Sequence, residues 1–142
     1  MSEINPLALE NQLCFPIYAA AREVVKKYKP FLDEIGLTYT QYIALMVLWE
    51  HAPMNIKSLG ERLYLDSGTL TPLLKKLERD GIVTRSRSEK DERELIVALT
   101  EEGKKLREKA LSIPQKMGEC LRLSPEDAMA LYSILYKILR QT

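Results

Sequence analysis

Cysteine and histidine are scarce: the 142 residues include Cys14, Cys120 and a single histidine, His51. Two cysteines this far apart do not form a disulfide framework and lack metal-ligand spacing, which leaves packing or redox chemistry as their use. His51, alone at a helix end, reads as a solvated side chain with no ligand cluster around it. Long apolar runs are missing as well. The longest, Tyr42 to Trp49, is too short to cross a bilayer, so no membrane partner is expected. The first twelve residues carry Glu3 and Glu10 and show no basic region followed by an apolar stretch, so a signal peptide is not expected and a cytoplasmic location is. Neither sign of charge is in excess, with Lys+Arg 21 against Asp+Glu 20, and that balance neither requires nor excludes nucleic acid. Hydrophobic content of 46% and charged content of 29% are ordinary globular values and exclude wholesale disorder. The length suits one domain spanning residues 1–142 with its own core.

Helical periodicity dominates what is present. An amphipathic helix is predicted from about Pro16 to Lys29, with Ile17, Ala21, Val24, Val25 and Tyr28 on one side. A second starts at Thr38, where Thr38 and Gln41 form a capping-box pattern, and stops at Ala52-Pro53. A short helix follows, with Asn55 or Ser58 near its cap and Leu63 at its end. Asp66-Ser67-Gly68-Thr69 then supplies fresh N-cap chemistry for a helix through Leu70, Leu73, Leu74 and Leu77, which Gly81 closes. About three residues separate these two helices, the spacing of a helix-turn-helix. Two strand-like runs, Ile82–Arg87 and Leu95–Leu99, flank a charged connection and predict a β-hairpin placed as a wing.

A long helix is predicted from Thr100 towards Lys116, and a last one after the Ser124-Pro125-Glu126-Asp127 cap. The expected fold is mainly α: a winged helix-turn-helix over about 38–100, with flanking helices over about 7–36 and 101–142. Those flanking helices carry more apolar surface than a small winged module can cover, so pairing into a homodimer is expected.

In a helix-turn-helix the second helix enters the major groove and presents its first turns to base edges. That surface is Asp66, Ser67, Gly68, Thr69 and Thr71, with Lys75 and Lys76 a turn further on. Short hydroxyl side chains suit close approach to phosphates and bases, and a threonine methyl can touch thymine. From Lys75 to Arg93 seven basic and five acidic residues leave a net charge of only +2. Arg85 and Arg87 alternate onto one face of the wing, while Lys90, Asp91 and Arg93 lie near its tip, where an arginine can enter the minor groove. Asp91 is placed to hold Arg93. Taken alone these charges fit an ordinary solvated face; the order helix, turn, helix, hairpin assigns them to double-stranded DNA.

Cys14 lies in Gln12-Leu13-Cys14-Phe15-Pro16. If the helix starts at Pro16, Cys14 sits just outside its N-terminus, where the dipole favours the thiolate that attacks peroxides. A helix already running from Asn5-Pro6, kinked at Pro16, would weaken that argument. Tyr18 is one turn from Cys14 on the same face. Tyr28 is about 21 Å further along a helix, within reach only from a second chain. By the burial habit of free cysteine, a packed apolar residue is the commoner case, and the residues alone do not overturn it.

Asn11-Gln12-Leu13-Cys14-Phe15, Leu37-Thr38-Tyr39-Thr40-Gln41-Tyr42, the run from Tyr64 to Glu78, and Asp91-Glu92-Arg93 together resemble the MarR family of regulators. Within it they are most similar to the organic-hydroperoxide-sensing, OhrR-like group, over nearly the whole chain. The resemblance implies a dimeric winged helix-turn-helix repressor on a pseudo-palindromic operator, needing no cofactor or metal and performing no enzymatic turnover. It implies that an organic hydroperoxide oxidises Cys14 to sulfenic acid, that Tyr28 and Tyr39 from the other subunit hydrogen-bond it, and that Tyr18 is a further pocket tyrosine. Cys120, or a low-molecular-weight thiol, would trap the sulfenic acid as a disulfide. A regulator gated by a non-covalent phenolic ligand and a thiol peroxidase are the alternatives.

Overall fold

The structure, a computed structural model, describes residues 3–141 and divides the chain at Leu111 into two compact units. The first unit runs in the order 3-10 turn (Leu9–Asn11), α1 (Cys14–Asp33), α2 (Tyr39–His51), β1 (Met54–Asn55), α3 (Ile56–Leu63), α4 (Ser67–Arg79), β2 (Val83–Arg87), β3 (Leu95–Leu99) and α5 (Glu101–Ala110). The second holds α6 (Ile113–Leu121) and α7 (Pro125–Leu139). The fold is a winged helix-turn-helix: mostly helix, with one small antiparallel sheet of strand order β1-β3-β2.

Side-chain caps set most of the helix boundaries. Thr38 and Gln41 complete a reciprocal capping box on α2, and Asn55, Asp66, Thr100 and Ser124 each accept the N–H of the residue three positions on. The core of the first unit draws side chains from its helices and from the sheet. Leu45 and Leu48 of α2, Leu59 of α3, Leu70, Leu74 and Leu77 of α4, Val83 of β2 and Val97 of β3 are almost entirely buried. Each such side chain contributes about 1.5–3 kcal/mol through removal of apolar area from water. The recognition helix and the wing are therefore anchored in one apolar cluster.

Two glycines allow close approaches that a side chain would block. A Cβ at Gly60 would meet the Leu65 carbonyl oxygen at 2.8 Å, and the Gly60 carbonyl accepts the Leu65 N–H at 3.0 Å, folding the turn back onto α3. At Gly103 a Cβ would overlap the carbonyl of Ile82, where the wing begins.

Three expectations are corrected. The first helix begins at Cys14 rather than Pro16 and continues past Lys29 to Asp33. The helix expected from Thr100 towards Lys116 is two helices broken at Leu111–Ser112. Pro114 explains the break: it has no N–H to donate to Ala110, and its ring clashes with that carbonyl in a continuous helix. The sheet also gains a third strand, β1, whose two residues Met54 and Asn55 pair with Val97 and Ile96.

Candidate DNA interface and thiol site

The turn between α3 and α4 is three residues long, and Tyr64 adopts a left-handed conformation (φ 56°) that ends α3. Asp66 Oδ1 then accepts the Thr69 N–H at 2.7 Å. That backbone hydrogen bond, with help from the Thr69 side chain, holds the Asp66 carboxyl below the usual carboxylate range, so it stays ionised as the cap of α4. Ser67, Gly68 and Thr69 are exposed on the first turn, Thr71 is half-buried, and Lys75 and Lys76 are exposed further along. Lys76 reaches Asp80 at 3.2 Å. The α4 N-terminus thus offers small hydroxyl side chains, followed by a cation one to two turns on.

The wing is a regular hairpin with register Val83↔Leu99 to Arg87↔Leu95. Its tip is closed by Ser88 N–H donating to the Glu94 carbonyl at 2.9 Å and Glu94 N–H to the Asp91 carbonyl at 3.0 Å. Asp91 Oδ1 accepts the Arg93 backbone N–H at 3.0 Å. Its hold on Arg93 therefore runs through the main chain. Arg87 Nη1 donates to the Glu92 carbonyl at 3.1 Å, and Lys90 and Arg93 are exposed.

Arg85 is placed differently from its expected position on the wing surface. Its Nη2 donates to Glu78 Oε1 at 3.0 Å and its backbone N–H to Glu78 Oε2 at 3.1 Å, and its side chain is only 18% exposed. The Arg85 side chain holds the Glu78 carboxyl below the usual carboxylate range. Glu78 is the residue that sequence reasoning missed. A signal existed: an acidic side chain in the last turn of a helix opposes the macrodipole and calls for a partner elsewhere.

Cys14 is the first residue of α1 and its thiol side chain is exposed. Leu13, Phe15 and Ile17 around it are exposed too, and an open depression beside it is lined by Ala8, Leu9, Glu10 and Phe15. Tyr18 is exposed with the Arg22 guanidinium 5.6 Å from its ring centroid. Tyr28 lies near the far end of α1, with the rings of Tyr39 and Tyr42 4.8 and 5.7 Å away. Burial, reinforced by Tyr39 and Tyr42, pushes the Tyr28 phenol up to about 12, and burial raises Tyr39 and Tyr42 as well. These phenols stay protonated hydrogen-bond donors at neutral pH. Cys120 is a free, half-buried thiol on α6 of the second unit.

A family model described as transcriptional regulator SarA/Rot matches residues 26–110. The organic hydroperoxide resistance transcriptional regulator of Bacillus subtilis is 51% identical over 138 residues, covering 97% of this chain and 94% of that one. The chain is a MarR-type transcriptional regulator of the SarA/Rot family. SarZ of Staphylococcus epidermidis is 48% identical over 123 residues, 87% of this chain and 83% of its own. The structure of reduced AbfR bound to DNA superposes with a TM-score of 0.79 at 37% identity, covering 94% of this chain and 93% of that one.

In this MarR-type regulator the structure gathers Ser67, Thr69, Thr71 and Lys75 on one helix and Arg87, Lys90, Asp91 and Arg93 on one hairpin. It brings Tyr28 to Tyr39 and adds Tyr42, to which the sequence had given no place in the pocket. It does not bring Tyr28 to Cys14, which sits fourteen residues earlier on the same helix, about 21 Å away at ~1.5 Å per residue.

Proposed function

We propose that this regulator binds a pseudo-palindromic operator as a homodimer, represses from it, and leaves it when an organic hydroperoxide oxidises Cys14. The observation that carries the reading is the exposed thiol of Cys14 at the first position of α1, set among exposed apolar side chains. The exposed thiol is open to an incoming oxidant, and the apolar side chains of Leu13, Phe15 and Ile17 around it suit the organic tail of a hydroperoxide. The relationship to a Bacillus subtilis regulator of organic hydroperoxide resistance supports the same oxidant class.

The chemistry balances without a cofactor. The thiolate sulfur attacks the terminal peroxide oxygen, the O–O bond breaks, and the departing alkoxide takes a proton and leaves as an alcohol. Cys14 is then a sulfenic acid. A second thiol attacks that sulfur and releases water, giving a disulfide. Cys120 of the partner subunit and a low-molecular-weight thiol are the two candidates for that second thiol. Oxidation is a one-time signal rather than turnover.

Dimerisation follows from unpartnered apolar surface in each unit. Leu7 is 89% and Leu13 77% exposed, and α7 leaves Met129, Tyr132 and Ile134 more than half exposed. A second chain that covers these faces also supplies what one chain lacks, since Tyr28 and Tyr39 of the partner subunit then reach Cys14 and donate their hydroxyl protons to it. Tyr18, one turn from Cys14, completes the pocket. On DNA, Asp66 caps the recognition helix while Ser67, Thr69, Thr71, Lys75 and Lys76 meet the major groove. Arg87, Lys90 and Arg93 follow the flanking backbone and minor groove, with Asp91 shaping the tip. Oxidation breaks the tyrosine hydrogen bonds across the dimer and shifts the two recognition helices away from half-sites one helical turn apart. A tenfold loss of affinity requires only ~1.4 kcal/mol. Work of this kind is done on chromosomal DNA in the cytoplasm.

The test is fluorescence anisotropy of DNA from upstream of this gene, with reduced protein, before and after near-stoichiometric cumene hydroperoxide. Release that reverses with dithiothreitol and vanishes in Cys14→Ser is the expected result. Tight binding indifferent to peroxide moves the sensing role to a non-covalent ligand, and loss of binding in Cys14→Ser makes the residue structural.

A further inference from the structure

We propose that Glu78 and Arg85 form a positioning couple that fixes the wing against the recognition helix, so that Arg85 serves DNA binding through geometry rather than by contacting a phosphate. This rests on the reading that α4 and the wing engage DNA together. One carboxylate on the last turn of α4 holds both the side chain and the main chain of a single residue of β2, at 3.0 Å to Nη2 and 3.1 Å to the backbone N–H. β2 is an edge strand of the sheet, with β3 on one side only. The N–H of Arg85 that Glu78 accepts is thus a backbone group that an edge strand would otherwise leave to solvent or to another chain. A grip on side chain and backbone together restrains the twist of the strand as well as its distance from α4.

Arg85 is committed to this contact. Its side chain is 18% exposed, and its Nη2 is taken up by the Glu78 carboxylate. Leverage explains what is gained. From Arg85 to Ser88, where the tip turn begins, is three residues, about 10 Å of extended chain at ~3.3 Å per residue, so a tilt of about 10° at Arg85 moves the tip by about 2 Å. A hydrogen bond does not survive that displacement.

The sign of the effect separates this role from that of a bystander. Glu78 is anionic and close to the DNA-facing elements, so deleting it should tighten binding if it acts only as a surface charge. As half of a positioning couple, its loss weakens binding. In full-length protein, Glu78→Ala and the near-isosteric Glu78→Gln are compared with wild type by anisotropy on the operator. Hydroxyl-radical footprinting of the same complexes and circular dichroism melts complete the comparison. We expect a five- to tenfold weaker complex, with protection of the flanking minor groove lost and that of the central major groove kept, while Cys14 reacts with peroxide at the wild-type rate.

Arg85→Lys supplies the second arm. A lysine keeps a phosphate contact as a point charge but loses the planar fork, so a matching loss of flanking protection is expected. Unchanged or tighter binding by both Glu78 variants, or uniform loss of protection across the site, overturns the couple. Wild-type protein that binds no double-stranded DNA overturns the functional reading itself and this inference with it.

Discussion

The indole Nε1 of Trp49 donates a 2.9 Å hydrogen bond to the carbonyl of Gly103, tying the last turns of α2 to the first turn of α5 across the base of the wing. The bond is half-buried, and Trp49 is the only tryptophan in the chain. Trp49→Phe removes the donor and part of the ring. The expected result is an unfolding free energy lower by about 1–3 kcal/mol, read from urea denaturation followed by far-ultraviolet circular dichroism. An unchanged midpoint would mean that neither the hydrogen bond nor the lost part of the ring contributes to stability.

Gly103 itself permits a substitution whose sign runs against helix propensity. It lies in the first turn of α5, where alanine should stabilise by up to about 1 kcal/mol on intrinsic preference. A Cβ there would instead overlap the backbone carbonyl of Ile82, which is fixed by the Thr100 N–H at 3.0 Å, while the Thr100 hydroxyl holds the neighbouring Gly81 carbonyl at 2.6 Å. Gly103→Ala is expected to destabilise by about 2 kcal/mol, because the wing must shift to admit one methyl group. Thermal melts of the two proteins decide it, and a raised midpoint would show that the wing base yields freely.

The winged helix-turn-helix was legible because its boundaries are written locally. Thr38, Asp66, Thr100 and Ser124 act as caps where the sequence placed them, and the hairpin strands begin and end within a residue of expectation. Features that depend on distant pairing were not legible. β1 is a strand only because Val97 and Ile96 lie beside it, and Arg85 turns to Glu78 because α4 passes next to β2. Period-2 alternation put Arg85 and Arg87 on one face without revealing that the neighbouring helix covers one of them. α2 is apolar nearly all round and buries residues on several sides, so its pattern does not single out Tyr42 as a neighbour of Tyr28. Cys14 was visible as an oddity, and its exposure is a fact only the structure supplies.

The tyrosine cluster predicts a distinct alkaline limb of stability. Tyr28 ionises near 12 when folded and near 10 in an unconstrained chain. Between those values the unfolded chain gives up the proton while the folded chain keeps it, so rising pH pulls the equilibrium towards unfolding. The Tyr28 contribution is complete below about pH 10 and is lost as the pH climbs towards 12. Urea denaturation of wild type across the alkaline range should show stability falling there, and Tyr28→Phe should flatten part of that fall. Identical curves would mean that the phenol is as well solvated folded as unfolded. Below this range the Tyr28 hydroxyl remains a donor, so Tyr28→Phe, which removes one of the hydrogen bonds proposed to break on oxidation, should already weaken operator binding by reduced protein at neutral pH, as read by anisotropy.

The wing tip offers a test in which charge and geometry oppose each other. Asp91 is an anion on the hairpin proposed to approach phosphates, which by charge alone should weaken binding. Its Oδ1, however, accepts the Arg93 N–H at 3.0 Å, within a turn closed by the Glu94 N–H on the Asp91 carbonyl. Asparagine keeps the acceptor and drops the charge; alanine drops both. If the acceptor matters, Asp91→Asn binds operator as tightly as wild type or more so, while Asp91→Ala binds about tenfold more weakly, ~1.4 kcal/mol. Arg93→Ala should lose about as much and reduce the dependence of affinity on salt, since the cation itself is gone. Should Asp91→Asn fall as far as Asp91→Ala, the carboxylate acts by its charge, steering the Arg93 side chain directly, and the turn hydrogen bond is incidental to DNA binding.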